Sequence, residues 1–146
     1  MNNLQLDAIL FKDKISKKYY LGAFPIDILP TKFDYPSCFI INNQKSSKKG
    51  EHWIAVYFDT RKNCYFFDSF GLNPNFYSLE NYLNYHAKTI YFNKKQLQSI
   101  FSEFCGYYCE IFLLLKARKY SFDFILSQFK DPESNENLLK KLTKNE

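Results

Sequence analysis

Two runs of apolar, aromatic and β-branched residues dominate the centre of the chain: Trp53-Ile54-Ala55-Val56-Tyr57-Phe58, opened by His52, and Cys64-Tyr65-Phe66-Phe67, closed by Asp68. The polar stretch Asp59-Thr60-Arg61-Lys62-Asn63 between them predicts a β-hairpin. Neither run alternates with polar residues, so both faces of the pair must be covered and the hairpin belongs in the middle of a sheet. Cys38-Phe39-Ile40-Ile41, followed by a polar stretch over 42–50, predicts another strand, and residues 88–92 a further one. Leu4, Leu6, Ile9 and Leu10 suggest a short helix within the first 14 residues. Tyr19-Tyr20-Leu21-Gly22-Ala23-Phe24-Pro25, with Pro30 and Pro36 beyond it, reads as an irregular covering segment. A helix is predicted over 76–86. The C-terminal part turns helical over 105–119 and 122–129, then in a last helix opened by Asp131-Pro132-Glu133, with Asp as N-cap and Pro at the first position. Together these elements predict an α+β fold, a central mixed sheet with helices packed around it.

Length and composition narrow the classes. At 146 residues, with no repeat or linker, the chain is expected to form one domain over 1–146. The aromatic share of 20% and the two arginines, Arg61 and Arg118, among 20 basic residues follow AT-rich codons and carry little functional weight. The longest apolar runs, 53–58 and 111–115, fall far below the roughly 18 residues of a membrane span. The start has neither a basic n-region nor an apolar h-region. The expectation is therefore a soluble protein, intracellular or delivered by a virus or pathogen, with Cys38, Cys64, Cys105 and Cys109 as free thiols. A net charge of +5 on scattered lysines reads as a solvated surface, and it is also a surface able to follow phosphates without sequence readout.

Two pieces carry candidate chemistry. Folding the hairpin about Thr60 and Arg61 brings His52 to within about a residue of opposite Asp68, where a carboxylate can hold an imidazole in one tautomer and stabilise its charged form. The alternative is a surface histidine and a turn aspartate that never meet. The second piece is Gln98-Ser99-Ile100-Phe101-Ser102-Glu103-Phe104-Cys105-Gly106, leading into the apolar helix. A cysteine at a helix N-terminus meets backbone N–H groups and the positive end of the dipole, which favour thiolate. Gln98 can add a second oxyanion donor if the chain folds back, and Gly106 lets substrate backbone approach. The alternative is that Cys105 is simply a small buried residue. Cys109, one turn on, reads as helix packing, Cys38 and Cys64 as core, and His86 as surface or helix capping. A zinc site wants close Cys or His pairs, and only Cys105 and Cys109 approach that spacing, so no metal is expected. Three of the four glycines, Gly50, Gly71 and Gly106, stand beside His52, Asp68 and Cys105, which favours an enzyme.

The ordered set Gly50-Glu51-His52-Trp53, Phe66-Phe67-Asp68-Ser69-Phe70-Gly71, Gln98 and Cys105-Gly106 resembles the adenovirus-type (adenain-like) maturation proteases, and more distantly the SUMO- and NEDD8-specific proteases of the same fold. Tyr20-Leu21-Gly22-Ala23-Phe24 is similar to a segment near the N-terminus of that family, and the likeness runs from about 19 to 116. Similar proteases occur in Polinton-type transposons and virophages. The resemblance implies His52 as general base, Asp68 as the acid orienting it, Cys105 as nucleophile, and Gln98 with the Cys105 N–H as oxyanion hole. It implies that Trp53 packs beside these residues and narrows a channel for substrates with small residues, typically glycine, before the scissile bond. Two departures stand out. The chain ends well short of adenain, so part of the C-terminal region is expected to be missing or replaced. There is also no cysteine near Lys88 and Thr89 to link an activating peptide. The function this implies is a monomeric viral cysteine endopeptidase maturing capsid precursor polypeptides in the virion and the infected cell's virus factory. No cofactor is required by the sequence, and DNA stays open as an activator through the lysines. The alternatives are a ubiquitin- or SUMO-like isopeptidase, weakened by the short stretch before His52, and a non-catalytic basic DNA-binding virion protein of the same fold.

Overall fold

The structure, a computed structural model, describes residues 3–44, 52–99 and 104–143. Five strands form one sheet in chain order: β1 (Tyr20–Pro25), β2 (Ser37–Asn42), β3 (Trp53–Phe58), β4 (Asn63–Phe67) and β5 (Thr89–Phe92). The three central strands, β2, β3 and β4, pair antiparallel with one another, while β1 lies parallel to β2 and β5 parallel to β4. The helices are α1 (Asn3–Lys12), α2 (Glu80–His86), α3 (Cys105–Ala117), α4 (Phe122–Ser127) and α5 (Pro132–Thr143). Asp131 caps α5 as expected, its Oδ1 accepting the Ser134 N–H at 3.0 Å. The first half of the helix expected over 76–86 is instead a 3-10 turn, Pro74–Tyr77, capped by Asn73.

The unbroken apolar runs are explained by two cores, one on each face of the sheet. Cys38, Ile40, Trp53, Ala55, Tyr57 and Phe67 point to the side packed by α1, α3, α4 and α5. Phe39, Ile41, Ile54, Val56, Phe58, Cys64 and Phe66 point to the other side. There α2 and the Pro-containing segment after β1 cover them, through Leu83 and Phe33. On the helical side α3 lies across β3, and Phe112 stacks flat on Phe67 with ring centroids 4.7 Å apart.

One segment differs from expectation. Residues 20–25 form an edge strand, where the sequence reading had only an irregular cover. Its signal is hidden by Gly22, whose φ of +133° interrupts the pleat, and by a register shift between Tyr20 and Ala23. The rest of that reading, with Pro30 and Pro36, is an irregular cover over the second core.

Arg118, just past α3, grips Asp13, just past α1, through two bonds of 2.6 and 3.2 Å. Its side chain is about one-third exposed, at 34%. Arg118→Ala is therefore expected to cost less than about 1 kcal/mol in urea unfolding, and a larger loss would mean that the pair anchors α1.

Candidate active site

β3 and β4 deliver the first two candidate residues at the same end of the hairpin, His52 just before β3 and Asp68 just after β4. The ladder pairs Ala55 with Phe67, and the same register continued sets His52 opposite Phe70. The two rings stack with centroids 4.2 Å apart. Asp68 is thus diagonal to His52, one step further off than the hairpin turn suggested. Its carboxylate still reaches across, and His52 Nε2 lies 2.6 Å from Asp68 Oδ1 with both side chains buried. Because a carboxylate accepts, Nε2 carries the proton and Nδ1 of the neutral ring presents its lone pair on the far side.

Asp68 is fully buried and held on all sides. Oδ1 also accepts the Phe70 N–H at 3.1 Å, and Oδ2 accepts the Tyr77 hydroxyl at 2.7 Å and the Leu72 N–H at 3.2 Å. Asn93, at the end of β5, clamps the Asp68 backbone by accepting its N–H and donating to its carbonyl. These donors offset the cost of burying the charge. Burial first, and the Asp68 carboxylate second, push the Tyr77 hydroxyl far above its usual range, so it stays a donor.

Cys105 is the first residue of α3, 5% exposed, at the helix N-terminus as the sequence suggested. The His52 Nδ1 atom is buried and has no hydrogen-bond partner among the described residues. Cys105 is nonetheless close enough to act on the ring: burial works to lower the His52 pKa, and the Asp68 bond and the Cys105 thiol outweigh it, raising the value to about 9. An imidazole, a thiol at a helix start and a carboxylate bonded to the ring are thus brought together. That arrangement can move a proton from sulfur to nitrogen and keep it there.

Gln98 is fully buried on the loop after β5. Its backbone N–H donates to the Ser69 carbonyl at 3.0 Å, as does that of Leu97 at 2.8 Å, and its Oε1 accepts the Ser69 hydroxyl. The residue next to Asp68 therefore fixes the amide oxygen and turns its NH2 end away. Residues 100–103, between Gln98 and α3, lie outside the described residues, as do Gly50 and Glu51 before His52. Trp53 follows His52 into the helical core, 8% exposed, and its indole N–H donates to Asn3 at 3.1 Å. Gly106 is buried in the first turn of α3.

The remaining cysteines are packing groups. Cys38, Cys64 and Cys109 are fully buried, and burial raises each thiol's pKa. The Cys109 Sγ–H donates to the Trp53 carbonyl at 3.3 Å, tying α3 to the start of β3. His86 ends α2 with its ring 4.8 Å from that of Phe33. Ser69, Phe70, Tyr77 and Asn93 were not singled out by sequence reasoning. For Ser69 and Phe70 the adjacency to Asp68 was the available signal, whereas nothing in the pattern marked Tyr77 or Asn93.

A model of the adenovirus endoprotease family matches residues 20–131. A protein called "Protease" from human adenovirus E serotype 4 is 36% identical over 74 residues, which is 47% of this chain and 35% of the relative. The chain is thus matched to about a third of that relative's length. The matched family region contains β1 to α4 and each of His52, Asp68, Gln98 and Cys105. The chain belongs to the adenovirus endoprotease family.

Proposed function

We propose that this chain is a viral cysteine endopeptidase that matures capsid precursors by cutting after glycine-containing sites. The carrying observation is the buried 2.6 Å bond from His52 Nε2 to Asp68, with Cys105 near enough to help raise the histidine's pKa. His52 Nδ1 takes the Cys105 proton, and the thiolate attacks the carbonyl carbon of the scissile peptide. Electrons move to the carbonyl oxygen, which the Gln98 NH2 and the Cys105 backbone N–H stabilise. Collapse of the tetrahedral species breaks the C–N bond while the imidazolium gives its proton to the leaving amine. His52 then draws a proton from water, whose oxygen attacks the thioester and releases Cys105. Asp68 holds the ring in the tautomer this cycle needs and stabilises its charged form.

Trp53 and Gly106 flank the histidine and the thiol in sequence, and we assign to them the walls that favour small residues before the cut. The chemistry needs no metal or organic cofactor. The scattered lysines make DNA the activator to test, and a monomer in the virion and infected cell is the working form.

The test is a thiol-directed peptide probe ending in glycine. Wild type is expected to take up one equivalent, on Cys105, while Cys105→Ala takes up none, because the other three thiols are buried and hard to ionise. Labelling that survives Cys105→Ala overturns the reading. Given a capsid precursor and a ubiquitin-like fusion, the protein is expected to cut the former. Cleavage of the fusion alone would make it an isopeptidase, and DNA binding without turnover of either would make it a non-catalytic virion protein. A salt-sensitive gain in rate on adding duplex DNA is the signature of the activator.

A further inference from the structure

Besides Ser69, the segment carrying Gln98 is held by the last helix of the chain, which lies beyond the residues matched to the family. The Leu97 carbonyl accepts Asn135 Nδ2 at 3.0 Å and the Tyr108 hydroxyl at 3.1 Å. Glu136 Oε1 lies 3.1 Å from the same hydroxyl and accepts the Ser99 N–H at 3.4 Å. Asn135 and Glu136 are nearly buried, 7% and 8% exposed, and Leu139 on the same helix packs into the core that contains Leu97. The peptide groups on both sides of Gln98 are thus tied to α5, and Tyr108, one turn into α3 from Cys105, joins that clamp to the helix bearing the thiol.

We propose that α5 is a positioning element for the oxyanion donor: Glu136, with Tyr108 and Asn135, sets where the Gln98 amide sits relative to Cys105. This rests on the reading of Gln98 as an oxyanion donor. A donor misplaced by a fraction of an ångström still permits substrate to bind but stabilises the developing charge less, so the loss falls on kcat rather than KM.

The experiment uses the full chain and a fluorogenic peptide with glycine before the scissile bond. Rates are normalised to the fraction of molecules titrated by the glycine probe, which removes any unfolded protein. Tyr108→Phe, which keeps the ring and the core volume, and Glu136→Leu are each expected to lower kcat about 10-fold with KM within about twofold. Glu136→Gln, which keeps an acceptor for Ser99 and Tyr108, is expected to stay within about threefold of wild type. Alkylation of Cys105 by iodoacetamide forms no oxyanion, so its rate should not change in any of them.

Gln98→Ala should cost about 100-fold in kcat, and on that background Tyr108→Phe should cost less than about twofold more. Wild-type kcat in Tyr108→Phe and Glu136→Leu, with Gln98→Ala still impaired, overturns the positioning role and leaves the catalytic reading of Gln98 standing. A full further 10-fold loss on the Gln98→Ala background, or a rise in KM in place of the fall in kcat, also overturns it. Unchanged kcat in Gln98→Ala overturns the catalytic reading of Gln98 and the positioning role with it.

Discussion

His52→Ala is expected to lower kcat/KM by about four orders of magnitude on a glycine-containing peptide, measured per folded molecule. The size follows from the two tasks the ring performs, taking the thiol proton and delivering it to the leaving amine. Neither task falls to the other histidine, His86, whose ring packs against Phe33, Phe58 and Tyr82. Burial by itself would keep the imidazole neutral; the Asp68 bond and the Cys105 thiol reverse that and raise the pKa to about 9 from 6.5. The raised value fixes the sign of two pH effects. The charged ring's contribution to stability is complete below about 6.5 and disappears as pH climbs through about 9. The step that needs imidazolium as a proton donor fades over the same upper window, so kcat/KM should have an alkaline limb near pH 9. Asp68→Asn keeps the side-chain volume but removes the charge behind the ring. It is expected to cost about 10³-fold in kcat and to move the alkaline limb to lower pH. Rate profiles of the two proteins between pH 5 and 10 decide the matter: a limb that stays in place in Asp68→Asn would mean that Asp68 does not set the histidine's charge.

The hairpin was legible because a strand covered on both faces leaves an unbroken apolar record, and β3 and β4 are such strands. β1 was not, because an edge strand needs only one good neighbour and here tolerates Gly22 and Pro25, two residues that ordinarily signal its absence. The same difference separates the parts of the site. His52 and Asp68 sit at the two ends of a local hairpin, and Cys105 at a helix start, so their placement follows from secondary structure. Asn93 reaches Asp68 across 25 residues, and Glu136 reaches Ser99 across 37. Those contacts exist only once β5 has docked beside β4 and α5 has closed on the helical core. Polar residues at such distances leave no periodic trace, since one side chain meeting one backbone group imposes no pattern on its neighbours. Sequence thus indicated the candidate reacting groups, while the residues that hold them in place emerged only from the packing.

Gly71→Ala should lower stability by about 3 kcal/mol, a drop of roughly 10 °C in Tm for a chain of this size, and should impair turnover in the molecules that still fold. Gly71 closes the turn after Asp68, its N–H donating to the Asp68 carbonyl at 2.8 Å with φ at +75°. A side chain there costs about 1 kcal/mol for the left-handed backbone alone. The larger obstacle is space, since a Cβ would stand 2.8 Å from the Lys94 carbonyl oxygen and from the Lys95 carbonyl carbon and oxygen. Those are backbone atoms, and they cannot rotate aside as a side chain would. The segment they belong to runs between Asn93, which clamps Asp68, and Gln98, which leans on Ser69. Relief of the clash must therefore move either the carboxylate that orients His52 or the amide assigned to the oxyanion. Gly71→Asn separates the two costs, because asparagine tolerates the left-handed region but carries the same Cβ. Equal losses of Tm in the two variants assign the effect to the close approach of the Lys94 and Lys95 backbone. Recovery of most of the stability in Gly71→Asn would assign it to strain in the turn.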